Sequence, residues 1–209
     1  MICILGCLDT EEGKHICDEM EYWLKPEHDV FTVHQNPPGT LFEYPAIKIV
    51  IQTAVTLDEP VLYLHTKGAG NTIPKDYQHR MMHRTINFPA TAKPEDCQKI
   101  VRNMWKHEFT GERLNLYLEK VNTPEPVVCC PYTGKEKITW QNGWVINPSA
   151  AKILNNHFKY DKNRYYFETL FTNINEIKVI GIRSNKCDLK EPFHKSMWDD
   201  IWRFYELNK

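Results

Sequence analysis

The sequence lacks a charge imbalance, a long apolar run and the two common nucleotide-binding fingerprints. Its 26 Lys and Arg residues nearly cancel 27 Asp and Glu residues, which leaves a formal charge of -1. Such a balance does not call for nucleic acid or an anionic membrane as a partner, so any polyanion site must be a local concentration of charge. The chain has neither the Gly-Lys-Ser/Thr ending of a P-loop nor a Gly-x-Gly-x-x-Gly motif after its first predicted strand.

The apolar runs are only as long as strands, and the N-terminal residues lack the basic region and long apolar core of a signal peptide. We therefore expect a soluble, cytoplasmic protein with no transmembrane segment. The seven cysteines are an odd number without the paired spacing of a zinc site, and we interpret them as reduced thiols. Cys129 and Cys130 stand in an apolar stretch, which favours core residues over the alternative of a catalytic thiol.

The 209 residues, 42% of them hydrophobic, suffice for one core, and we expect a single domain over residues 1–209. The first third alternates between strands at 2–8, 30–34 and 60–65 and helices that end at Pro26 and Leu57. This alternation with short connections is what right-handed parallel crossovers require, and it predicts an open α/β sheet. The pattern then predicts helices at 75–87, 94–107 and 164–171, one capped by Asn147, an aromatic final helix at 197–205, and strands at 126–130, 143–146 and 178–182.

The stretch from His65 to Asn71 follows the third predicted strand and supplies an imidazole, an ammonium, a hydroxyl and two glycines. Ligands collect at the carboxyl ends of strands in open α/β sheets, and glycines let backbone amides approach them closely. From His65 to Arg84, the chain has a single acid, Asp76, and four basic residues, namely Lys67, Lys75, Arg80 and Arg84. The stretch predicts a phosphate site; the alternative is that Gly68 and Gly70 make a turn beside a solvated helix.

Three further groups of residues are candidates for a site. His79 and His83 can share a helical face and bind a metal, although a structural or phosphate-facing pair is favoured because no third ligand is evident. The segment from Trp140 to Pro148 resembles a sugar-binding lip; the alternative places Trp140 and Trp144 in the core. Glu168 stands in an aromatic segment and suits a general base, or else pairs with Arg164.

The order of these segments resembles a group of small bacterial and viral glycosyltransferase-like proteins, which are similar to the GT-A nucleotide-diphospho-sugar transferases. The resemblance spans about residues 1 to 175, and its sharpest part is Tyr-Leu-His-Thr-Lys-Gly at 63–68. It is carried by the segments 43–48, 61–68, 80–82, 142–144 and 164–171. It implies an α/β fold with an open mixed sheet flanked by helices, in which residues 1–90 bind the donor and 91–209 form the acceptor side.

The resemblance also implies roles for particular residues. The donor would contact Leu8, Asp9 and Arg80 and place its diphosphate at His65, Thr66, Lys67 and Gly68. The acceptor would contact Asn142, Gly143 and Trp144, and Glu168 would be the catalytic base of an inverting transfer. Wider GT-A proteins hold a divalent metal with Asp-x-Asp where this chain has His65-Thr66-Lys67. Because an imidazolium and an ammonium can neutralise a diphosphate directly, we expect donor binding without Mn or Mg and no metal site.

The expected activity is that of a hexosyltransferase in polysaccharide biosynthesis, with a nucleotide-diphospho-sugar and a glycan or lipid-linked acceptor as its partners. Loss of the Asp pair leaves an alternative open, in which a degenerate transferase fold binds a nucleotide or a sugar without catalysis. A metal-dependent hydrolase that uses His79 and His83 is a third hypothesis.

Overall fold

A computed structural model describes residues 1–35, 43–66, 94–139, 143–161, 166–167, 169–184, 200–201, 203 and 207 of the chain. Within these ranges, six strands and five helices are described over their full length. The strands are β1 (Ile2–Leu8), β2 (Asp29–Gln35), β3 (Val61–His65), β4 (Val127–Tyr132), β5 (Trp144–Ile146) and β6 (Lys178–Ser184). The helices are α1 (Glu11–Leu24), α2 (Tyr44–Leu57), α3 (Pro94–Glu108), α4 (Gly111–Val121) and α5 (Pro148–His157). The described residues at 200–201, 203 and 207 are also helical.

The six strands form one open mixed sheet in the order β2-β1-β3-β5-β4-β6. β1 pairs in parallel with β2 and β3, and β4 pairs in parallel with β6. β5 is antiparallel to both of its neighbours, β3 and β4, so the other five strands share one direction. The α/β class and the open mixed sheet expected from the sequence are confirmed. The strands before and after residues 120–126, near the middle of the chain, belong to the same sheet.

Alternate residues of a strand point to opposite faces of the sheet. Both faces carry apolar side chains here, and helices cover both of them. Leu62 and Leu64 belong to the core that packs against α1, α3 and α4. Val61 and Tyr63 belong to the second core, which packs against α2 and α5. None of the described helices is long and apolar enough to cross a membrane.

Two helices begin at residues whose side chains cap them. Thr10 Oγ1 accepts a hydrogen bond of 3.0 Å from the backbone N–H of Gly13 at the start of α1. Asn147 Oδ1 accepts one of 2.9 Å from Ala150 at the start of α5, where Pro148 takes the first helical position. A side chain at the cap satisfies a backbone donor that the helix itself leaves unpaired.

A polar network lies inside the core beside α3 and α4. The fully buried carboxylate of Glu108 accepts hydrogen bonds of 2.6 Å from Arg183, 2.9 Å from Arg113 and 2.8 Å from Tyr117. Arg183 also donates to Asp200 at 2.7 Å. Burial alone would raise the pKa of Asp200, but the hydrogen bond from Arg183 holds it below its usual value. These contacts attach the segment at 200–201 to the end of β6.

The helices differ from the sequence prediction at two places among the described residues. The α-helix expected at 164–171 is wrong for the described residues, because Tyr166 lies in a 3-10 helix and 167 and 169–173 form tight turns, with Thr169 donating to the carbonyl of Tyr166. The buried residues of this segment recur every three or four positions, a spacing that such turns share with an α-helix. Helix α4 was not expected from the sequence. The helix expected at 75–87 lies outside the described residues.

Candidate functional site

Three of the segments proposed from the sequence meet at one edge of the sheet. β1 and β3 are adjacent and parallel, with Gly6 opposite His65, so both strands end at this edge. β5 runs the other way, with Trp144 opposite Tyr63, and therefore begins at the edge where β3 ends. The fold thus brings Leu8, His65, Thr66 and Gly143 to the carboxyl edge of the parallel strands, where ligands of open α/β sheets bind.

Thr66 ties the ends of the two parallel strands together. Its Oγ1 accepts a hydrogen bond of 3.0 Å from the backbone N–H of Leu8, and its own N–H donates to the carbonyl of Gly6 at 2.8 Å. Thr66 is 6% exposed. The hydroxyl still has its proton to donate, since the bond from Leu8 uses only its acceptor capacity. Thr66 therefore fixes the geometry of the edge while keeping a donor for another group.

Asp9 follows β1 directly and carries an exposed negative charge. One of its oxygens lies 2.8 Å from Nζ of Lys14, one turn into α1. The hydrogen bond from Lys14, supported by its charge, lowers the pKa of Asp9. The carboxylate is ionised at neutral pH and can accept hydrogen bonds from hydroxyl groups of a ligand.

His65 ends β3 between a carboxylate and an indole ring. Its Nδ1 lies 3.8 Å from Oε2 of Glu43, the residue before α2. The same Oε2 accepts a hydrogen bond of 2.9 Å from the hydroxyl of Tyr63. The imidazole ring also meets the ring of Trp105 edge to face, with 5.5 Å between centroids. Sequence reasoning missed Glu43 as a site residue; its only signal was an acid in the segment that opens α2.

Gly143 lies close to the indole of Trp105, which sequence reasoning also left out of the site. A Cβ on Gly143 would come within 2.8 Å of Nε1 and 2.9 Å of Cε2 of the indole, so no larger residue fits there without a shift. Trp105 is fully buried, and its Nε1 has no hydrogen-bond partner among the described residues. Through Trp105, the start of β5 and the end of β3 are held next to each other.

Trp144 occupies the core rather than the surface of the site. Its side chain is fully buried and packs against Tyr63 and Phe171, with ring centroids 5.0 and 5.6 Å away. This is the alternative that the sequence left open for the tryptophan. An acceptor-binding role for Trp144 stays a prediction, and its fully buried ring packs in the core instead of being exposed for stacking on a sugar.

The remaining proposed residues lie outside the described part of the chain. These are Lys67, Gly68, Arg80, Asn142 and Glu168, together with His79 and His83 of the metal hypothesis. Within the described ranges, no three His, Cys, Asp or Glu side chains are placed to hold a metal ion. Cys3, Cys7, Cys17 and Cys129 are buried thiols outside any disulfide among the described residues, and burial raises the pKa of Cys129 to about 12, which keeps its thiol neutral.

Comparisons with known proteins give no relative for this chain. It matches no protein-family model, no curated protein and no solved structure. The class of the protein is therefore defined by the structure itself. Over its described residues it is an α/β protein with six strands in an open mixed sheet, and its candidate site lies at the carboxyl edge of β1 and β3.

Proposed function

We propose that this protein is a glycosyltransferase of GT-A-like fold that moves a sugar from a nucleotide-diphosphate donor to a glycan or lipid-linked acceptor. The observation that supports the proposal is the meeting of three segments at one edge: the end of β1, the end of β3 and the start of β5. The resemblance assigns the first two to the donor and the third to the acceptor. A transferase needs both substrates side by side, because their reacting atoms must come within contact distance.

The donor half of the proposal depends on the chemistry at the ends of β1 and β3. The ionised carboxylate of Asp9 can accept hydrogen bonds from hydroxyls of the donor nucleotide. His65 and, beyond the described residues, Lys67 supply positive charge for the diphosphate without a bridging metal. Arg80 and Gly68 complete the proposed donor site. Divalent Mn or Mg is not required in this scheme.

The acceptor half depends on the residues that precede β5 and on a base. Asn142 and Gly143 would contact the acceptor sugar, while Trp144 supports the strand behind them. Glu168 would accept the proton of the attacking hydroxyl as the bond to the donor sugar breaks and the nucleoside diphosphate leaves. This assignment makes Glu168 the catalytic residue of an inverting transfer.

Thermal-shift screening against nucleoside diphosphates, with and without manganese, tests the proposal. A ligand that binds only the folded state raises the unfolding temperature, so at least one nucleoside diphosphate should stabilise the protein in the presence of a chelator. No stabilisation by any nucleoside diphosphate would reject donor binding. A strict requirement for manganese would reject the role given to His65 and Lys67.

A second candidate is a nucleotide- or sugar-binding protein without catalytic activity. The observation that favours it is the His65-Thr66-Lys67 sequence, which stands where active GT-A enzymes carry their Asp pair. Purified protein that hydrolyses a nucleotide sugar, and loses this activity in a folded Glu168→Gln variant, would exclude this candidate. Binding of a donor without turnover of any kind would favour it over the enzyme.

A further inference from the structure

The carboxylate of Glu43 is turned toward β3 instead of capping its own helix. Glu43 holds the N-cap position of α2, yet its side chain makes no capping hydrogen bond. It accepts the hydrogen bond from Tyr63 and lies 3.8 Å from the imidazole of His65. Because a side-chain cap stabilises the start of a helix, this placement replaces a local contact with contacts to the strand that ends at the site.

The surroundings of Glu43 make its position well defined. Its side chain is 21% exposed and that of His65 is 14% exposed, so the two groups interact through less water than a surface pair does. Tyr63 is fully buried and packs against Trp144, which fixes the hydroxyl that donates to Glu43. The carboxylate is thus held by a core residue, and its 3.8 Å separation from Nδ1 of His65 is that of an ion pair with a protonated imidazole and not that of a hydrogen bond.

We propose that Glu43 is the positioning residue for His65: it holds the imidazole by its Nδ1 side so that the ring presents positive charge to a diphosphate. Trp105 supports the ring by its edge-to-face contact. The proposal rests on the proposed function, since it takes the donor diphosphate as the anion bound at the end of β3. It assigns Glu43 no contact with substrate.

The direction in which Glu43→Gln changes the affinity for an anion distinguishes the positioning role from simple charge repulsion. A carboxylate near a bound diphosphate repels it, so on charge alone Glu43→Gln should tighten the binding of an anion. If Glu43 instead acts by holding a charged His65 in place, the same substitution should weaken the binding. The two explanations therefore predict opposite changes in affinity.

The test is a calorimetric titration of inorganic pyrophosphate into the full chain. Glu43→Gln should weaken pyrophosphate binding about tenfold, because a His65 ring that is no longer held in place would lose one charge-assisted hydrogen bond to the anion. Glu59→Gln is the matched control, because it removes the same charge at an exposed position beyond the other end of α2 and should leave the affinity unchanged. Unchanged or tighter binding by Glu43→Gln would overturn the proposal.

A double-mutant cycle with His65→Ala shows whether Glu43 acts through the imidazole. Once His65 is absent, Glu43→Gln should have no further weakening effect on pyrophosphate binding. An equal loss with and without His65 would overturn the proposal, because it would show that Glu43 acts on the fold or the anion independently. Should Glu43→Gln fail to fold, Tyr63→Phe decides: it should weaken binding about threefold by freeing the carboxylate, and unchanged affinity would count against the proposal.

The outcomes for the two proposals are distinct. A wild-type protein that binds neither pyrophosphate nor any nucleoside diphosphate rejects the proposed function as well as this inference. A wild-type protein that binds pyrophosphate, with equal affinity in Glu43→Gln, rejects the role of Glu43 alone and leaves the proposed function standing.

Discussion

Replacing Asn147 by alanine should lower the free energy of unfolding by about 4 kcal/mol, a value that follows from the hydrogen bonds of its buried amide. Its Oδ1 accepts from the backbone N–H groups of Val127 at 3.1 Å and Ala150 at 2.9 Å. Its Nδ2 donates to three backbone carbonyls, those of Val121 at 3.3 Å, Thr123 at 3.0 Å and Glu125 at 2.6 Å. The side chain thus joins the end of α4, the start of β4 and the start of α5.

The size of the loss depends on which backbone groups water can hydrogen-bond once the Asn147 side chain is removed. The N–H groups of Val127 and Ala150 lie in buried hydrogen bonds, and each buried group left without a partner costs about 1–3 kcal/mol. The bonds to Thr123 and Glu125 are only partly buried, so water can replace the amide there at smaller cost. For a chain of this length, about 4 kcal/mol corresponds to a fall of roughly 8–16 °C in the unfolding midpoint.

Urea unfolding followed by far-UV circular dichroism measures this loss. Asn155→Ala is the control, since Asn155 is exposed on the same helix and alanine is the better helix former. The control should be as stable as the wild type or slightly more so. A loss below about 1 kcal/mol for Asn147→Ala would mean that its network contributes no more than one ordinary hydrogen bond, which would refute the reasoning.

Two further predictions concern the start of α1 and the start of β2. Gly13→Ala should destabilise the protein by about 1–3 kcal/mol in the same urea assay, because the new Cβ would lie 2.0 Å from the carbonyl oxygen of Leu8. Helix propensity alone predicts a gain in stability instead, and such a gain would show that α1 can move away from Leu8. Burial lowers the pKa of His28 below its ordinary 6.5, so its contribution to stability is present above pH 6.5 and is lost as the pH falls through the lower value. His28→Gln should therefore flatten the decline in unfolding free energy between pH 7 and pH 5, and an unchanged slope would contradict this assignment.

The strands and most helices could be predicted because their signals are local. β1 and β3 are short apolar runs, Pro26 follows α1, and Asn147 with Pro148 marks the start of α5. The reversed direction of β5 could not be read from its three residues, because direction is set by pairing with β3 and β4. The described residues 166–167 and 169–173 were misjudged since the buried residues among them recur at a spacing that fits both an α-helix and successive tight turns.

The candidate site could be predicted where its residues stand at the end or the start of a strand, as Gly143 does before β5. Leu8, His65 and Thr66 stand at strand ends, and the rule for open α/β sheets indicates them directly. Glu43 and Trp105 lie on other elements and reach His65 only through the tertiary packing of α2 and α3. Their residue types carry no signal by themselves, because an acid before a helix and a tryptophan on an apolar helical face are ordinary features of many proteins.

The placement of β5 has a consequence for the order in which the protein folds. One edge of β3 pairs with β1, which lies earlier in the chain. Its other edge pairs with β5, which comes only after α3, α4 and β4 in sequence. Such long-range pairing closes late and leaves unpaired N–H and C=O groups on β3 until it does. A nascent or truncated chain that ends before residue 144 would expose this central edge, and a bare edge in the middle of an apolar sheet is a template for aggregation.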